Sequence, residues 1–301
     1  MNKPNYRGRF APTPSGPLHF GSMVAAVGSY LDAKSQGGDW LLRIDDLDPP
    51  RVMPGAADGI LQSLERLGLH WDETVVRQSR RSDAYRDALE RLRAEDRIYP
   101  CGCSRKEIGE AAVAGIDGPV YPGICRHGMP PGHTMRTLRV RTDGASIAFD
   151  DRLQGPVRQQ LASGIGDFVL WRIDGVFSYH LACAIDDADA GITHVVRGAD
   201  LIASTPRQIH LQRLLGLPEP EYLHLPVAVN AQGDKLSKQT LAPPIDTGSP
   251  AAVLAQVLLF LGHALPPDLA AADVGVLLSW AIPNWRRELL PREATHTLPA
   301  A

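Results

Sequence analysis

The stretch APTPSGPLHFGS, residues 11–22, crowds two glycines, three prolines and a histidine between a strand candidate and a helix candidate. The strand candidate is Arg7–Phe10, and the small and apolar residues from Leu18 to Ser35 predict the helix. The glycines lack a Cβ and let a ligand approach the main chain, and free N–H groups at a helix start attract phosphate. Because His19 can donate to a phosphate oxygen, we predict a phosphate-facing turn. Taken alone, the stretch fits a tight turn with a surface histidine equally well.

The composition is ordinary for a soluble globular protein, with 44% hydrophobic and 22% charged residues among 301. This length supports one large domain or two smaller ones. The sequence has no apolar run long enough to cross a membrane and no secretory signal, so a cytoplasmic location is expected. A net charge of −3 excludes a uniformly basic surface, and only a local basic patch could contact nucleic acid.

Strands and helices alternate up to about residue 98. The segment DWLLRIDDLD, Asp39–Asp48, predicts a strand that ends in a cluster of carboxylates. Helices are predicted over about Gly55–Leu67 and Ser82–Asp96, where apolar residues recur three and four positions apart on one face. This order of elements predicts a parallel α/β sheet.

A loop-rich insertion interrupts the alternation at Tyr99. The chain is rich in Gly, Pro and Cys to about Arg136, and the strand candidates TLRVRT, SIAFDD and DFVLWRIDG follow. The α/β pattern resumes at FSYHLACAIDDADAGITHVVRGADL, whose apolar run, acidic turn and second apolar run predict the other half of the sheet. Further along the chain, we predict a helix over Ser204–Leu215, a strand over Leu225–Asn230 and a loop over Ala231–Gln239. Two more helices are predicted over Pro250–Leu261 and Leu269–Trp280.

A second motif, GDKLSKQ at residues 233–239, places two lysines around a serine. With PTPSGPLHFGS, it resembles the paired HIGH and KMSKS signatures of class I aminoacyl-tRNA synthetases, with His19-Phe20-Gly21-Ser22 and KLSKQ in those places. The segments GRFAPTPSG, LLRIDDLD and IDDADAGITHVVRGADL extend the resemblance to the glutamyl-tRNA synthetase group over nearly all of residues 7–240. The resemblance implies an α/β fold with a Rossmann-like parallel sheet, a zinc-binding insertion and a short helical C-terminal region.

The resemblance also divides the chain. Residues 1–98 and 178–216 would form the two halves of the catalytic domain, 99–177 the insertion with its zinc-binding loop, and 217–301 the KLSKQ loop region with the C-terminal helices. Such enzymes join a carboxylate to the α-phosphate of ATP, and Mg²⁺ arrives with the nucleotide. The implied ATP-binding residues are His19, Gly21, Ser22, Lys235 and Lys238. Of these, His19, Gly21 and Lys238 would be catalytic, with Lys238 stabilising the departing pyrophosphate.

The resemblance implies a glutamate pocket as well. Its residues would be Arg9, Ala11, Thr13, Asp45, Tyr179 and Arg197. Arg9 would pair with the side-chain carboxylate of the substrate, because a guanidinium binds a carboxylate through two parallel hydrogen bonds. For Arg197, a structural ion pair with Asp200 is the alternative. Asp45 stands where relatives carry a glutamate that binds the substrate ammonium, so the pocket closes slightly, a water bridges, or Asp46 shares the role.

Three cysteines in the insertion have the spacing of a metal site. Cys101, Cys103 and Cys125 could supply three thiolates to a structural Zn²⁺, and candidates for the fourth ligand are Tyr121, His127 and His133. Imidazole is the commoner ligand and favours His127. In the resembling synthetases the set is Cys-x-Cys, Tyr and Cys, which YPGIC matches, so we predict Tyr121. Three reduced cysteines in a flexible loop are the alternative. Cys183 is expected to be a small core residue.

About sixty residues follow KLSKQ, fewer than the anticodon-binding region of glutamyl-tRNA synthetases. That shortness and the zinc insertion resemble the glutamyl-Q tRNA(Asp) synthetase family, which implies glutamate transfer to queuosine at the wobble position of tRNA(Asp). The implied partners are L-glutamate, ATP and queuosine-containing tRNA(Asp), with no membrane and a monomeric state. The alternatives are a truncated enzyme that acylates the acceptor end of tRNA(Glu) and a non-catalytic RNA-binding paralogue.

Overall fold

A computed structural model describes residues 6–230, 232, 233, 235 and 249–297. The strands are β1 (Arg7–Phe10), β2 (Asp39–Ile44), β3 (Val76–Arg77), β4 (Ile98–Cys101), β5 (Ala114–Gly115), β6 (Gly118–Pro119), β7 (Thr137–Val140), β8 (Ser146–Asp151), β9 (Gly155–Gln160), β10 (Val169–Trp171), β11 (His194–Gly198), β12 (Glu221–Leu225), β13 (Val227–Val229) and β14 (Thr295–Thr297). The helices are α1 (Phe20–Lys34), α2 (Ala56–Arg66), α3 (Ser82–Ala94), α4 (Arg105–Ala111), α5 (Leu161–Gly164), α6 (Tyr179–Asp189), α7 (Thr205–Leu215), α8 (Pro250–Phe260) and α9 (Val274–Asn284). In these stretches, no helix combines the length and the apolarity that crossing a bilayer requires.

The central sheet is parallel, as predicted. Strand β2 pairs with β1 and β3, and β11 pairs with β12, all in parallel register. The two groups meet where the Thr193 amide donates to the Arg7 carbonyl at 2.9 Å, beside β1. Five of the six residues of β2 are buried, which is typical of a strand covered on both faces. The carboxyl ends of β1, β11 and β12 therefore open at the same edge.

Helix α1 packs on the sheet and carries much of the main core. Its residues from Met23 to Ala33 are buried except Ala25, and they pack with apolar residues of the sheet and of α8 and α9. Gly28 allows the close approach, because a Cβ there would lie 2.5 Å from the Leu225 side chain. The C-terminal helices thus pack against α1 as a helical region, in line with the expected fold class.

The inserted segment has its own small sheet and core. Strand β7 pairs antiparallel with β4 and β10, and β8 and β9 form an antiparallel hairpin. A second apolar cluster joins this sheet to α3, α6 and α7, with Tyr85, Leu138 and Leu170 among its buried members. This cluster packs the small sheet against helices that precede it and follow it in the chain.

The prediction for residues 177–201 was wrong in part. The apolar and acidic run over Tyr179–Asp189 is helix α6, and only His194–Gly198 is a strand. Asp186 and Asp187 are buried and bind arginines, so these acids do not mark a turn. The predicted strand Leu225–Asn230 is divided between β12 and β13 at Pro226, which has no N–H for a sheet hydrogen bond. Helix α9 begins at Val274, five residues after the predicted start at Leu269.

Candidate active site

A cavity of about 600 Å³ lies at the carboxyl ends of β1, β11 and β12, beside the first turn of α1. Its walls include residues predicted for both ATP and glutamate: Arg9, Ala11, Thr13, His19, Gly21, Ser22, Tyr179, Arg197 and Lys235. These come from the two sequence signatures and from segments nearly two hundred residues apart, so the sheet topology brings them together. Lys238, also predicted, falls outside the described residues.

The phosphate-facing end of the cavity is the start of α1. His19 is the N-cap, and its Nδ1 accepts a hydrogen bond from the Ser22 amide at 3.3 Å. The first turn of this 15-residue helix contains no acidic residue, so the positive end of its dipole is not neutralised there. Gly16 in the preceding turn has a φ of 125°, a backbone angle that favours glycine. An anionic ligand would meet N–H groups and an imidazole at this wall.

Arg9 lines the same cavity and is held by an ion pair. It is 4% exposed, and its Nε and Nη2 donate to the two carboxylate oxygens of Asp187 at 3.2 and 3.3 Å. Arg43 also donates to Asp187, at 2.6 Å. Burial acts to raise the pKa of Asp187, but the charges of Arg9 and Arg43 outweigh it and the pKa is lowered. Arg9 and Arg43 share the carboxylate of Asp187, and Arg43 also binds Asp45, so positive and negative charges balance beside the cavity.

A buried chain of hydrogen bonds orients Arg197. Its Nε donates to His224 Nε2 at 3.1 Å, and His224 Nδ1 in turn contacts Asp151 at 2.6 Å. Burial lowers the pKa of His224 to about 4, so the ring is neutral and donates to Asp151 while it accepts from Arg197. Arg197 Nη1 has no hydrogen-bond partner among the described residues. Among the described residues, Arg197 does not form the alternative ion pair with Asp200. Asp200 instead accepts a hydrogen bond from Lys235 at 2.6 Å.

Asp45 does not line the cavity. It is 7% exposed and accepts from Arg43 Nε at 2.6 Å. Burial raises its pKa, with Arg43 acting in the opposite direction. Asp46 accepts from the amide and hydroxyl of Ser79, both at 2.8 Å, and so is committed elsewhere. Cys183 is buried as expected, but next to these charges, 3.3 Å from Arg43 Nη2.

The cysteines of the insertion converge as a metal site would require. The sulfurs of Cys101, Cys103 and Cys125 lie within 4.8 Å of one another. The Tyr121 hydroxyl is 3.3 Å from Cys101 Sγ and 3.7 Å from Cys103 Sγ. Three thiols and a phenol at these separations fit a tetrahedral Zn²⁺.

The histidines that could replace Tyr121 are not in this group. His133 bonds to Glu107 at 2.9 Å, and neither His133 nor His127 belongs to the cluster of ligand atoms in the described residues. Although burial acts to raise it, hydrogen bonds with Tyr121 and Arg139 lower the pKa of Cys101 to about 7, which favours a thiolate. The geometry therefore supports Tyr121 as the fourth ligand.

Sequence reasoning missed the residues that hold the arginines. Three of them touch predicted residues: Asp187 binds Arg9, Arg43 binds Asp45 and His224 binds Arg197. The fourth, Asp151, binds His224. None of the four was predicted as part of the site. The acidic run over residues 186–189 was interpreted as a turn. An apolar helix that contains buried acids would have pointed to arginine partners.

Comparisons with known proteins identify the family of this chain. The model for the catalytic domain of class I tRNA synthetases (E and Q) matches residues 5–249. A glutamyl-Q tRNA(Asp) synthetase of Aromatoleum aromaticum is 54% identical over 99% of this chain and 94% of its own length. One of Dechloromonas aromatica is 54% identical over the full length of both chains. The crystal structure of a glutamate tRNA ligase from Elizabethkingia meningosepticum superposes with a TM-score of 0.81 at 25% identity, over 99% of this chain and 68% of that one.

Proposed function

This chain belongs to the class I tRNA synthetases (E and Q), which are ligases that transfer aminoacyl groups, and on that premise we propose its reaction. It activates glutamate with ATP and passes the glutamyl group to queuosine at the wobble position of tRNA(Asp). Relatives that are 54% identical over nearly the whole chain bear the name glutamyl-Q tRNA(Asp) synthetase. The cavity at the carboxyl ends of the strands supports the activation step.

In the activation step, a glutamate carboxylate oxygen attacks the α-phosphorus of ATP, and pyrophosphate leaves. The helix start at His19 and Ser22 would hold the phosphates, and Gly21 would let the adenosine approach the main chain. Mg²⁺ would come bound to the nucleotide. Lys235 lines the cavity and would bind the leaving group. The matching role of Lys238 stays a prediction.

Two arginines would select glutamate. Arg9 and Arg197 both line the cavity, both are 4% exposed, and Arg197 Nη1 has an unused donor among the described residues. A buried donor without a partner is costly, and a substrate carboxylate would satisfy it. Tyr179, Ala11 and Thr13 would complete the pocket. The role of Asp45 toward the ammonium group stays a prediction, since its carboxylate is bound to Arg43.

In the transfer step, a hydroxyl of the queuosine cyclopentene diol attacks the adenylate carbonyl and AMP leaves. The glutamyl group is then joined to the tRNA through an ester. The insertion would hold Zn²⁺ through Cys101, Cys103, Cys125 and Tyr121. Bound there, the ion would supply a structural cross-link and no reactive group. A cytoplasmic location and a monomeric state are further parts of this proposal.

The observation that carries the proposal is the convergence of nine predicted ATP and glutamate residues on one cavity. The test incubates the protein with ATP, labelled glutamate and one of three tRNAs: queuosine-containing tRNA(Asp), the same tRNA without queuosine, or tRNA(Glu). We expect label on the first alone, lost in mild base. Label on tRNA(Glu) would instead identify an acceptor-end synthetase. The absence of glutamate-dependent pyrophosphate exchange in every mixture would indicate a non-catalytic paralogue.

A further inference from the structure

A second cavity, of about 360 Å³, lies on the insertion beside the cysteine cluster. Its lining includes three arginines and two aspartates: Arg105, Arg139, Arg207, Asp117 and Asp167. Ile108, Ile165 and Phe168 give it apolar walls. Neither the sequence signatures nor the proposed activation step uses this cavity.

The two aspartates are already neutralised. Asp117 accepts from Arg207 Nη2. Asp167 accepts from Arg126 at 3.2 Å, from Tyr99 at 2.6 Å and from both the amide and the hydroxyl of Thr142. Within the described part of the chain, Arg105 and Arg139 have no carboxylate partner. The cavity therefore has an excess of positive charge.

Two of the arginines also keep unused donors. Arg139 and Arg207 are each 7% exposed, and each has an Nε–H without a hydrogen-bond partner among the described residues. The Arg139 guanidinium lies 3.8 Å from the centre of the Tyr121 ring, which fixes its position. Each of these two Nε–H groups is buried without an acceptor, which is costly, and an oxyanion bound between the two arginines would supply one.

One contact links the linings of the two cavities through two consecutive residues, Tyr179 and His180. Tyr179 lines the first cavity, and the next residue, His180, accepts from Arg207 Nη1 at 3.1 Å. Consecutive residues lie about 3.8 Å apart along the chain. A ligand that reached from one cavity to the other would pass over the start of α6.

We propose that the cavity around Arg105, Arg139 and Arg207 binds a backbone phosphate of the tRNA near the nucleotide that is acylated. This subsite rests on the proposed function, since that reaction brings an RNA strand to the first cavity. The chemistry recognised is a phosphate oxyanion, which both a phosphodiester and free phosphate offer. The apolar walls and the nearness of the first cavity favour the phosphodiester, because a nucleotide has a sugar and base to cover them.

The test measures tRNA binding against salt concentration for the full-length protein. Arg105→Ala removes an exposed side chain without a described partner, and Arg207→Lys keeps one positive charge but removes the guanidinium fork. Lys106→Ala is the matched control, because Lys106 neighbours Arg105 on α4 and does not line the cavity. We expect tRNA affinity to fall about threefold in R105A and about tenfold in R207K. The slope of log affinity against log salt should shrink by about 0.7 for each phosphate that the variant no longer neutralises.

Glutamate-dependent pyrophosphate exchange separates this subsite from the proposed function. Both variants should exchange at the wild-type rate, within about twofold, and K106A should match the wild type in every assay. Inorganic phosphate at constant ionic strength should weaken tRNA binding to the wild type, and less strongly to R105A. If R105A kept the wild-type tRNA affinity and the wild-type salt dependence, the proposed subsite would be wrong. It would also be wrong if inorganic phosphate bound to the protein without competing with tRNA. Failure of the wild type to exchange would instead overturn the proposed function.

Discussion

Arg197, in the cavity wall, is oriented by a buried histidine. Its Nε is fixed by neutral His224, its Nη2 donates to Thr205 at 2.7 Å, and Nη1 has no partner among the described residues. His224 is wholly buried and held by Asp151. In this series of hydrogen bonds, Asp151 orients the His224 ring, and the ring in turn orients Arg197. His224 and Asp151 are therefore positioning residues for the arginine.

We predict that His224→Ala and Asp151→Asn raise the KM for glutamate by about tenfold to a hundredfold, with a smaller change in kcat. The reason is that Arg197 loses its fixed orientation while the phosphate-binding turn stays intact. Pyrophosphate exchange at varied glutamate concentration measures both constants. His70→Ala, at an exposed position away from the cavity, is the control. A folded H224A protein with a wild-type KM for glutamate would contradict the positioning role of His224 and Asp151.

The sequence predicted side chains that line the cavity and missed the side chains that hold them in place. Arg9, His19 and Arg197 lie in short recognisable motifs. The pairing of an arginine or histidine with the acid that holds it is not visible in the sequence, because Asp187 is 178 positions from Arg9 and Asp151 is 73 from His224. Such pairings depend on the folded topology, and no local spacing encodes them.

At the scale of elements, the packing around Tyr121 holds its phenol beside the cysteine cluster. Tyr121 forms a lone bridge with Gly166, and a Cβ at Gly166 would lie 2.7 Å from the Tyr121 amide nitrogen. Its ring is covered by Arg139, and its hydroxyl accepts from the Cys125 amide at 2.9 Å. This packing fixes the phenol next to the thiols before any ion arrives.

We predict that Cys103→Ser abolishes stoichiometric zinc binding and that Tyr121→Phe weakens zinc affinity about tenfold or more. The phenylalanine keeps the ring and its stacking but removes the oxygen ligand. Zinc content after dialysis against a chelator measures both effects. His127→Ala should keep its zinc. If H127A loses the ion and Y121F retains it, imidazole is the ligand and Tyr121 is only structural.

Elements with strong local signals were predicted within a few residues. Helix α1 begins at the histidine cap and ends before Gly37-Gly38, and β1 has the predicted bounds. Helix α6 was missed because its acids were taken as exposed. In the structure Asp186 accepts from Arg81 at 2.6 Å and from Gln78 and Tyr85 at 2.8 Å, and all of these partners are about a hundred residues earlier. Acidic residues that are paired with arginines can be buried in a helix, although the same residues in the sequence suggest a turn.

At the scale of the whole molecule, buried histidines predict an acid-sensitive fold. Burial lowers the pKa of His224 to about 4 and that of His180 to about 3, against about 6.5 in the unfolded chain. Below pH 6.5 the unfolded state therefore binds more protons than the folded one. The contribution of the two neutral rings to the free energy of unfolding is therefore fully present above pH 6.5, and it is lost as the pH falls toward 4.

We predict that the thermal midpoint falls by about 4 °C or more between pH 7 and pH 5, for a loss on the order of 2 kcal/mol. Thermal unfolding in buffers of equal ionic strength measures it. His224→Ala should flatten part of the pH dependence, whereas His70→Ala should leave it unchanged. A midpoint that stays constant over this range would show that the two rings are protonated in the folded protein.

Asp32 joins distant parts of the chain. This wholly buried carboxylate on α1 accepts from Tyr6, from Trp285 Nε1 and from the Arg287 guanidinium. The partners Asp32 and Trp285 are 253 positions apart. At a synthesis rate of about 5–20 residues per second, the ribosome needs roughly 13–50 s to deliver the second after the first. During that interval Asp32 can bind only Tyr6, so the contacts that join α1 to Trp285 and Arg287 form only after the C-terminal region has been made.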